Sequence, residues 1–477
     1  MKVTLHGAAG GHVTGSAYLV ETQRARVLVD FGLFQGVAKS ELRNRVPPGL
    51  NPQQLDAVLL THAHLDHTGR LPLLAKSRCA APVFGTPATR ELTDLILRDA
   101  AKIQAQDIER INRRRQRAGQ KLLVPLYRVE DVEAAMSQYR PVPYGDPVDV
   151  APGVTACWVE AGHMLGSASI LLTLRDDSGT ATVVFSGDLG PKGAPILKDA
   201  EPFHQAQTVF LESTYGGRNH KSFQATVDEF RAVLQTAVSR NGKVLVPTFA
   251  VGRAQLLLVI LAGMFRKKLL PKFPIYLDSP MAIEATRIYR QHAELFDEDL
   301  TRDIQVHPLE EDLDTVRATV TAEESKALNH VRGPCLIMAG AGMCNAGRIL
   351  HHLRQSLWRT DTHVIFVGYQ GEGSLGRRLV DGAPQVSIFG ERIAVRATIH
   401  TMGGFSAHAG QTDLLAWLGA LAPCRPRVIL THGEANNQHA LANKIYEAYQ
   451  LGTEIPKVDE AITLGGETIV ALKPGTA

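Results

Sequence analysis

The 477-residue chain predicts an α/β protein in which one domain is built from both chain ends around an inserted α/β cassette. Three observations predict it. Short apolar runs each stop at a chemically active residue or a glycine turn, which is where α/β proteins open loops above a sheet and place their sites. A second alternation of strand-like and helical segments lies between Asp188 and His432. The residues proposed to hold metal occur before and after residues 213–395 and not within them. The domains are therefore expected at 1–212 joined with 396–477, and at 213–395.

Along the chain, Val27-Leu28-Val29 runs into Asp30, and Ala57-Val58-Leu59-Leu60 runs into Thr61-His62-Ala63-His64-Leu65-Asp66-His67. Val183-Val184-Phe185 precedes Ser186-Gly187-Asp188, Thr208 to Leu211 delivers Glu212, and Val428-Ile429-Leu430 delivers Thr431-His432. Phe223, Val227, Phe230, Leu234 and Val238 keep helical spacing, and Asn241-Gly242 ends that helix. Strand-like runs follow at 244–246, 275–277, 336–338 and 364–367 with helical segments between them, the pattern of a parallel sheet.

The six positions from His62 to His67 carry three imidazoles and a carboxylate. Alternate residues at a strand end share a face, so His62 and His64 can point together, with Asp66 and His67 on the following bend toward a second ion. Neutral imidazole and carboxylate suit zinc. Two ions need more ligands, including one carboxylate able to span both. His163, among the small residues of Ala161-Gly162-His163-Met164-Leu165-Gly166-Ser167, can approach a metal closely. Asp188 is the expected bridge, and His432 at its strand end completes the set.

Composition narrows the classes. Hydrophobic content of 44% supports large cores. A formal charge of +3 permits nucleic-acid binding without announcing it. Five scattered cysteines (Cys79, Cys157, Cys335, Cys344, Cys424) without a Cys-x-x-Cys pair read as reduced thiols, and no apolar leader is visible, so a cytoplasmic location is expected. No stretch approaches the roughly 20 apolar residues of a membrane span.

Asp30, the His62-to-His67 cluster, His163 and Asp188 match, in order, the motifs of the metallo-β-lactamase superfamily. Glu212 in Leu-Glu-Ser-Thr-Tyr-Gly, His408 in Phe-Ser-Ala-His-Ala and His432 in Thr-His-Gly-Glu match the further motifs of its β-CASP branch. So do Lys243-Val-Leu-Val-Pro-Thr-Phe-Ala-Val-Gly-Arg253, Tyr276-Leu-Asp-Ser-Pro-Met281 and Val367-Gly-Tyr-Gln-Gly-Glu-Gly-Ser-Leu-Gly-Arg377. The chain resembles prokaryotic relatives of the nuclease subunit of the cleavage and polyadenylation specificity factor, from its first strand to about residue 450, with no additional N-terminal RNA-binding domain expected.

The resemblance implies a metallo-β-lactamase αββα sandwich carrying an inserted β-CASP domain, which is read as a lid over RNA. It implies two zinc ions per chain, one on His62, His64, His163 and Asp188, the other on Asp66, His67, Asp188 and His432. Asp30 would orient the cluster. Asp66, Glu212 and His408 would be catalytic, with Glu212 and His408 paired beside the scissile phosphate. The partner implied is single-stranded RNA, since histidine at the His432 motif favours RNA over DNA. Internal cleavage and 5′-to-3′ trimming are both compatible with this, as is a homo-oligomer. A thioester hydrolase of the glyoxalase II type shares the histidine cluster but not the long insertion, and a non-catalytic RNA-binding scaffold would lack ligands that are present here.

Three features stand apart. Gly371-Glu372-Gly373-Ser374-Leu375-Gly376 has dinucleotide-type spacing, but the next apparent strand at Val386 follows too soon for a crossover helix. Gly340 to Gly347 reads either as a tight turn or as an amide cradle for a phosphate. Arg110, Arg113, Arg114, Arg115, Arg117, Lys121 and Arg128 form a run without an intervening acid, read as a solvated helix face or as a track for RNA phosphates.

Overall fold

In the computed structural model, residues 1–35, 40–368, 370–371 and 373–465 are described. The chain divides into two compact units, 1–192 with 199–219 and 408–477, and 193–198 with 220–407.

The first unit holds two seven-stranded sheets. One contains β1 (Lys2–Leu5), β2 (Tyr18–Glu21), β3 (Arg26–Val29), β4 (Ala57–Leu59), β5 (Val83–Gly85) and β6 (Tyr139–Pro141). The other contains β7 (Val148–Ala151), β8 (Val154–Glu160), β9 (Ala168–Asp176), β10 (Gly179–Phe185) and β11 (Thr208–Glu212). The second unit contributes β12 (Lys243–Pro247), β13 (Ile275–Asp278), β14 (Val316–Ala318), β15 (Cys335–Ala339), β16 (Thr362–Phe366), β17 (Gln385–Ile388), β18 (Glu391–Ala394) and β19 (Thr398–Thr401). The chain then returns to the first unit with β20 (Arg427–Thr431), β21 (Thr453–Glu454) and β22 (Ala461–Thr463).

The first sheet runs β22-β1-β2-β3-β4-β5-β6 and the second β21-β20-β11-β10-β9-β8-β7. Period-two alternation stacks them face to face. Ile170, Leu172 and Leu174 of β9 and Phe210 of β11 enter the core between the sheets, with Val3, Val29, Leu59 and Trp158. The intervening Val209 and Leu211 face outward, onto Leu414, Trp417 and Ile445 of the helices Gln411–Gly419 and Ala435–Tyr449. Leu28, Val58 and Val83 of the first sheet likewise face Leu71, Leu97 and Val132 of helices on its outer side. The result is a four-layer αββα sandwich. Trp158 buries its ring and donates Nε1–H to Leu60 O at 3.1 Å, which ties the sheets together beside the histidine cluster.

The second unit is built on a six-stranded, wholly parallel sheet, β14-β13-β15-β12-β16-β19, with β17 and β18 forming a separate antiparallel pair. Its central strands are continuous apolar runs because helices cover both faces. Ser222 caps the helix Phe223–Ser239 by accepting from Ala225 N, and Asn241 at φ 52° stops it.

The unit boundaries differ from those expected. Residues 396–407 stay with the second unit because β19 pairs in parallel with β16. Residues 213–219 stay with the first, where Gly216 lies against Asn437; a Cβ there would meet Asn437 O at 2.6 Å. The segment 193–198 joins the second unit through the bridge between Leu197 and Phe296.

In the turn 340–347 Ala341 N donates to Ala346 O and Cys344 N to Ala341 O, and Ile349 N reaches back to Gly340 O, bonds that a tight turn makes. Six residues, Leu375–Val380, form the only helix between the glycine-rich segment and β17 among the described residues, too few for a crossover. Tyr369 and Glu372 of that motif lie outside the described residues.

Candidate metal centre

Strand direction gathers the site. In the second sheet β8, β10, β11 and β20 all point one way, so the loops after them open at one edge. Those loops carry His163, Asp188 and His432, while Glu212 is the last residue of β11. In the first sheet the parallel strands β3 and β4 deliver Asp30 and the histidine cluster. Asp66 and His67 do not lie on a bend, as expected, but on a single helical turn, Leu65–Thr68, with His64 as its N-cap residue.

The backbone at these ends is unusual. Asp30 and His432 adopt φ 57° and 50°, conformations that cost order 1–3 kcal/mol and persist where surroundings hold them. Two glycines permit close loop contacts. A Cβ on Gly32 would fall 1.5 Å from Asp66 O, and one on Gly190 would fall 1.9 Å from Gly162 O. Gly190 N donates to Ala161 O at 2.8 Å, so the Asp188 and His163 loops are hydrogen-bonded together.

Asp188 sits at the centre, 2% exposed. Its Oδ2 lies 3.5 Å from His62 Nε2 and 3.5 Å from His163 Nε2. Its Oδ1 lies 3.3 Å from His67 Nε2 and 3.4 Å from His432 Nδ1. The two oxygens of one carboxylate thus face two different histidine groups. His163 Nε2 is 3.1 Å from His64 Nδ1, His67 Nε2 is 3.2 Å from His432 Nε2, and His432 Nε2 is 3.6 Å from Asp66 Oδ2. The donor atoms of His62, His64, His163 and Asp188 lie within 4.8 Å of one another, as do those of Asp66, His67 and His432.

Each group could hold a cation, and the chemistry fits. His62 Nε2 and Asp188 Oδ1 are buried without a hydrogen-bond partner. Buried polar atoms are rarely left so, and a cation in each group would satisfy them, the first at His62 Nε2 and the second at Asp188 Oδ1. The donor set is nitrogen and oxygen only, the kind zinc accepts.

Electrostatics points the same way. Burial holds His62 well below the usual imidazole range, and it pushes His64 down to about 4. Both are neutral at pH 7, as ligation requires. Burial also opposes charge on His67, but the carboxylates of Asp188 and Asp30 outweigh it and raise that imidazole well above its ordinary value. Burial works to raise the Asp188 carboxyl, yet the surrounding histidines, His432 first, hold it well below the carboxylate range. The pocket favours positive charge between its carboxylates.

Asp30 fixes the ring of His67. The two meet at 2.7 Å through His67 Nδ1 and Asp30 Oδ2, which turns Nε2 toward Asp188. Thr61 in turn holds Asp30, donating N–H to Oδ1 at 2.9 Å and its hydroxyl to Oδ2 at 2.8 Å.

Glu212 and His408 form a pair at the rim. His408 Nδ1 lies 3.2 Å from Glu212 Oε1 and 4.0 Å from Asp188 Oδ2. Glu212 is 1% exposed and accepts from Leu189 N at 2.9 Å and Thr214 N at 3.0 Å. Burial lowers the His408 imidazole, but the charge and hydrogen bond of Glu212 prevail and raise it. Asp188, Glu212 and His408 are also close enough to share a cation.

All nine residues named from sequence for metal or catalysis therefore converge here. Sequence reasoning missed the hydroxyls. Thr61 braces Asp30, and Thr214 places its Oγ1 3.1 Å from His432 Nδ1. Ser167 accepts from His163 N at 3.1 Å and Met164 N at 3.2 Å, shaping the His163 turn. Their signal was position alone, each within a few residues of a predicted ligand or acid.

Comparison with known proteins adds three family matches. Residues 10–248 match the metallo-beta-lactamase superfamily, residues 254–379 the Beta-Casp domain, and residues 392–456 the Zn-dependent metallo-hydrolase RNA specificity domain. The chain is 41% identical over 448 residues to ribonuclease TTHA0252 of Thermus thermophilus, covering 92% of this chain and 95% of that protein. It is 31% identical over 485 residues to transcription termination factor FttA of Thermococcus kodakarensis, covering 97% of this chain and 71% of that one. A crystal structure of a protein of unknown function from Enterococcus faecalis V583 shares the fold, with a TM-score of 0.52, 13% identity, and coverage of 97% of this chain and 99% of that one.

Proposed function

Because the chain belongs to the metallo-β-lactamase superfamily, in its Beta-Casp branch, we propose that it is a zinc-dependent ribonuclease hydrolysing phosphodiester bonds of single-stranded RNA, with two zinc ions per chain. The observation that carries this reading is Asp188, whose two oxygens face separate histidine groups. His62, His64 and His163 hold one ion with Asp188; Asp66, His67 and His432 hold the other with it. The first structural unit is the metallo-β-lactamase domain and the second the Beta-Casp domain. All five cysteines are free thiols, which suits a reducing cytoplasm.

Zinc, when bound, supplies Lewis acidity to the phosphoryl oxygens and lowers the pKa of water. The chain's own groups do the rest. Asp66, 22% exposed at its side chain where Asp188 is 2%, reaches substrate and orients the attacking water. Attack at phosphorus breaks the bond to the 3′ oxygen, leaving a 5′-phosphate and a 3′-hydroxyl. His408 delivers the proton to that oxygen from Nε2, the ring nitrogen not engaged by Glu212. Glu212 fixes the tautomer and favours the imidazolium.

The test is metal content measured beside cleavage of RNA labelled at either end, with a thioester run in parallel. Two ions per chain and RNA cleavage are expected, and Asp188→Ala should lose both. Fully active enzyme with at most one ion, or normal activity in Asp188→Ala, refutes the two-metal assignment. Thioester turnover without RNA cleavage refutes the substrate class.

A further inference from the structure

The helix Pro87–Arg117 is 31 residues long, and only its first half belongs to the core. Thr86 and Thr89 both donate their hydroxyls to Gly166 O at 2.7 Å, which seats the helix start on the His163 turn. Leu92, Ile96, Leu97 and Ala101 are buried; from 102 to 126 no residue is. At 1.5 Å per residue the helix runs about 46 Å, and its exposed part begins about 22 Å from the start. The returning chain is clamped to this arm. Asn112 Nδ2 donates to Leu123 O at 2.8 Å, Leu123 N donates to Asn112 Oδ1 at 2.8 Å, and Arg115 Nε donates to Lys121 O at 2.7 Å.

The charge of the molecule is concentrated here. Residues 102–121 contain seven lysines and arginines against two acids, a net +5, while the whole chain carries +3, so everything else sums to −2. A solvated helix accounts for part of it: Arg110 pairs with Asp107 and Arg113 with Glu109, and cations near a helix C-terminus suit its dipole. It does not account for Arg114, Arg117 and Lys121, for which no carboxylate stands within ion-pair distance among the described residues. The arm exposes aliphatic side chains, Leu122 and Val124 at its tip among them, but its excess is cationic, and residues 102–126 contain no aromatic side chain. Without aromatics the arm also lacks a stacking platform for bases, so what it can grip is the phosphate backbone.

We infer that this arm is a second, sequence-independent RNA-binding surface, holding substrate phosphates beyond the centre to which the helix start is anchored. The inference rests on the ribonuclease reading and adds a dependence on RNA length.

The test is a triple variant, Arg114→Gln, Arg117→Gln and Lys121→Gln, compared with the parent chain on unstructured RNAs of about 6 and about 40 nucleotides. Each phosphate contact on single strands contributes roughly 0.7 to the slope of log affinity against log salt, so three lost contacts should flatten it by about 2. Binding of the longer RNA should weaken on the order of 10- to 100-fold near 0.1 M salt, with KM rising, while kcat and the short RNA stay unchanged. Unaltered binding and slope for the longer RNA overturn the inference. So does an equal loss on both RNAs, which would place the effect in the centre. A second variant, Leu122→Asn with Val124→Asn, addresses the exposed apolar tip. If it dissolves a dimer in sedimentation while the cation variant leaves RNA binding intact, the arm is a self-association surface instead. Binding is read without turnover, so absence of cleavage on either RNA strikes the ribonuclease reading and not the arm.

Discussion

Replacing Asp30 by asparagine isolates the control of a single imidazole tautomer. Asparagine keeps the shape and tolerates the left-handed backbone at φ 57°, so the loop itself is not challenged. Its carbonyl oxygen can still accept from Thr61 N. The amide nitrogen then faces His67 Nδ1, which stands 2.7 Å from Asp30 Oδ2, and both cannot donate. The relaxed arrangement moves the His67 proton to Nε2, the atom 3.3 Å from Asp188 Oδ1 and 3.2 Å from His432 Nε2. A protonated Nε2 is no ligand. Loss of such a supporting carboxylate costs about 10- to 100-fold in metal affinity, or about 1.4–2.7 kcal/mol. Asp30→Ala should be worse in stability, since it orphans the buried Thr61 amide at about 1–3 kcal/mol before relaxation and leaves the Thr61 hydroxyl only its imidazole neighbours, His62 Nδ1 at 3.1 Å and His67 Nδ1 at 3.4 Å. The assays are competition with a chromophoric zinc chelator and thermal unfolding of metal-free protein. Zinc affinity in Asp30→Asn equal to that of the parent would falsify the tautomer argument.

Other substitutions probe the remaining parts. His408→Ala should keep its zinc yet lose about 10²–10⁴-fold in rate; loss of metal in that variant would make His408 a ligand. Glu212→Gln should lose less, and the double variant little more than His408→Ala alone, because groups acting as a unit are not additive. Gly190→Ala drives a methyl to within 1.9 Å of Gly162 O, so it should part the Asp188 and His163 loops, lowering zinc content and costing about 1–3 kcal/mol of stability. In the second unit Asp278 is buried; against the cost of burial it accepts from His352, Ser325, Thr319 and Arg348, which hold its carboxyl well below the usual range. A depressed folded-state value contributes stability that is present above the unfolded value of about 3.9 and lost as pH falls toward the folded one. Asp278→Asn should flatten that acid limb in thermal unfolding; an unchanged limb would show that other carboxylates control it.

The sandwich strands and the ligand cluster were legible because burial writes them into the chain as apolar runs stopped by polar residues. Ala57 to Leu60 is wholly buried, and nothing but the site follows it. What was not legible lacks such a signal. Thr398-Ile399-His400-Thr401 forms an edge strand with no buried residue, so no apolar run announced that the second unit extends to 407. The helical turn under Asp66 and His67 is four residues long, barely one period of a pattern that must repeat over several turns to reveal a helix. Thr61 and Thr214 act through hydroxyls, and a threonine in sequence does not say whether its hydroxyl meets a carboxylate, an imidazole or water.

The position of the bridge follows from the architecture. Asp188 leaves the second sheet, while His62, His64 and His67 leave the first, and Phe185, the residue that ends the Asp188 strand, packs in the shared core with Leu59 of the histidine strand. A side chain reaching across that seam meets ligands of the opposite sheet whichever ion it serves. One carboxylate with two oxygens is therefore enough to span both groups. The same seam explains the two glycines. Gly32 brings the Asp30 loop onto the Asp66 carbonyl and Gly190 brings the Asp188 loop onto the Gly162 carbonyl. A methyl at either point would separate loops whose donor atoms must stay within a few ångströms, so the spacing of the site is set by backbone contacts before any ion arrives.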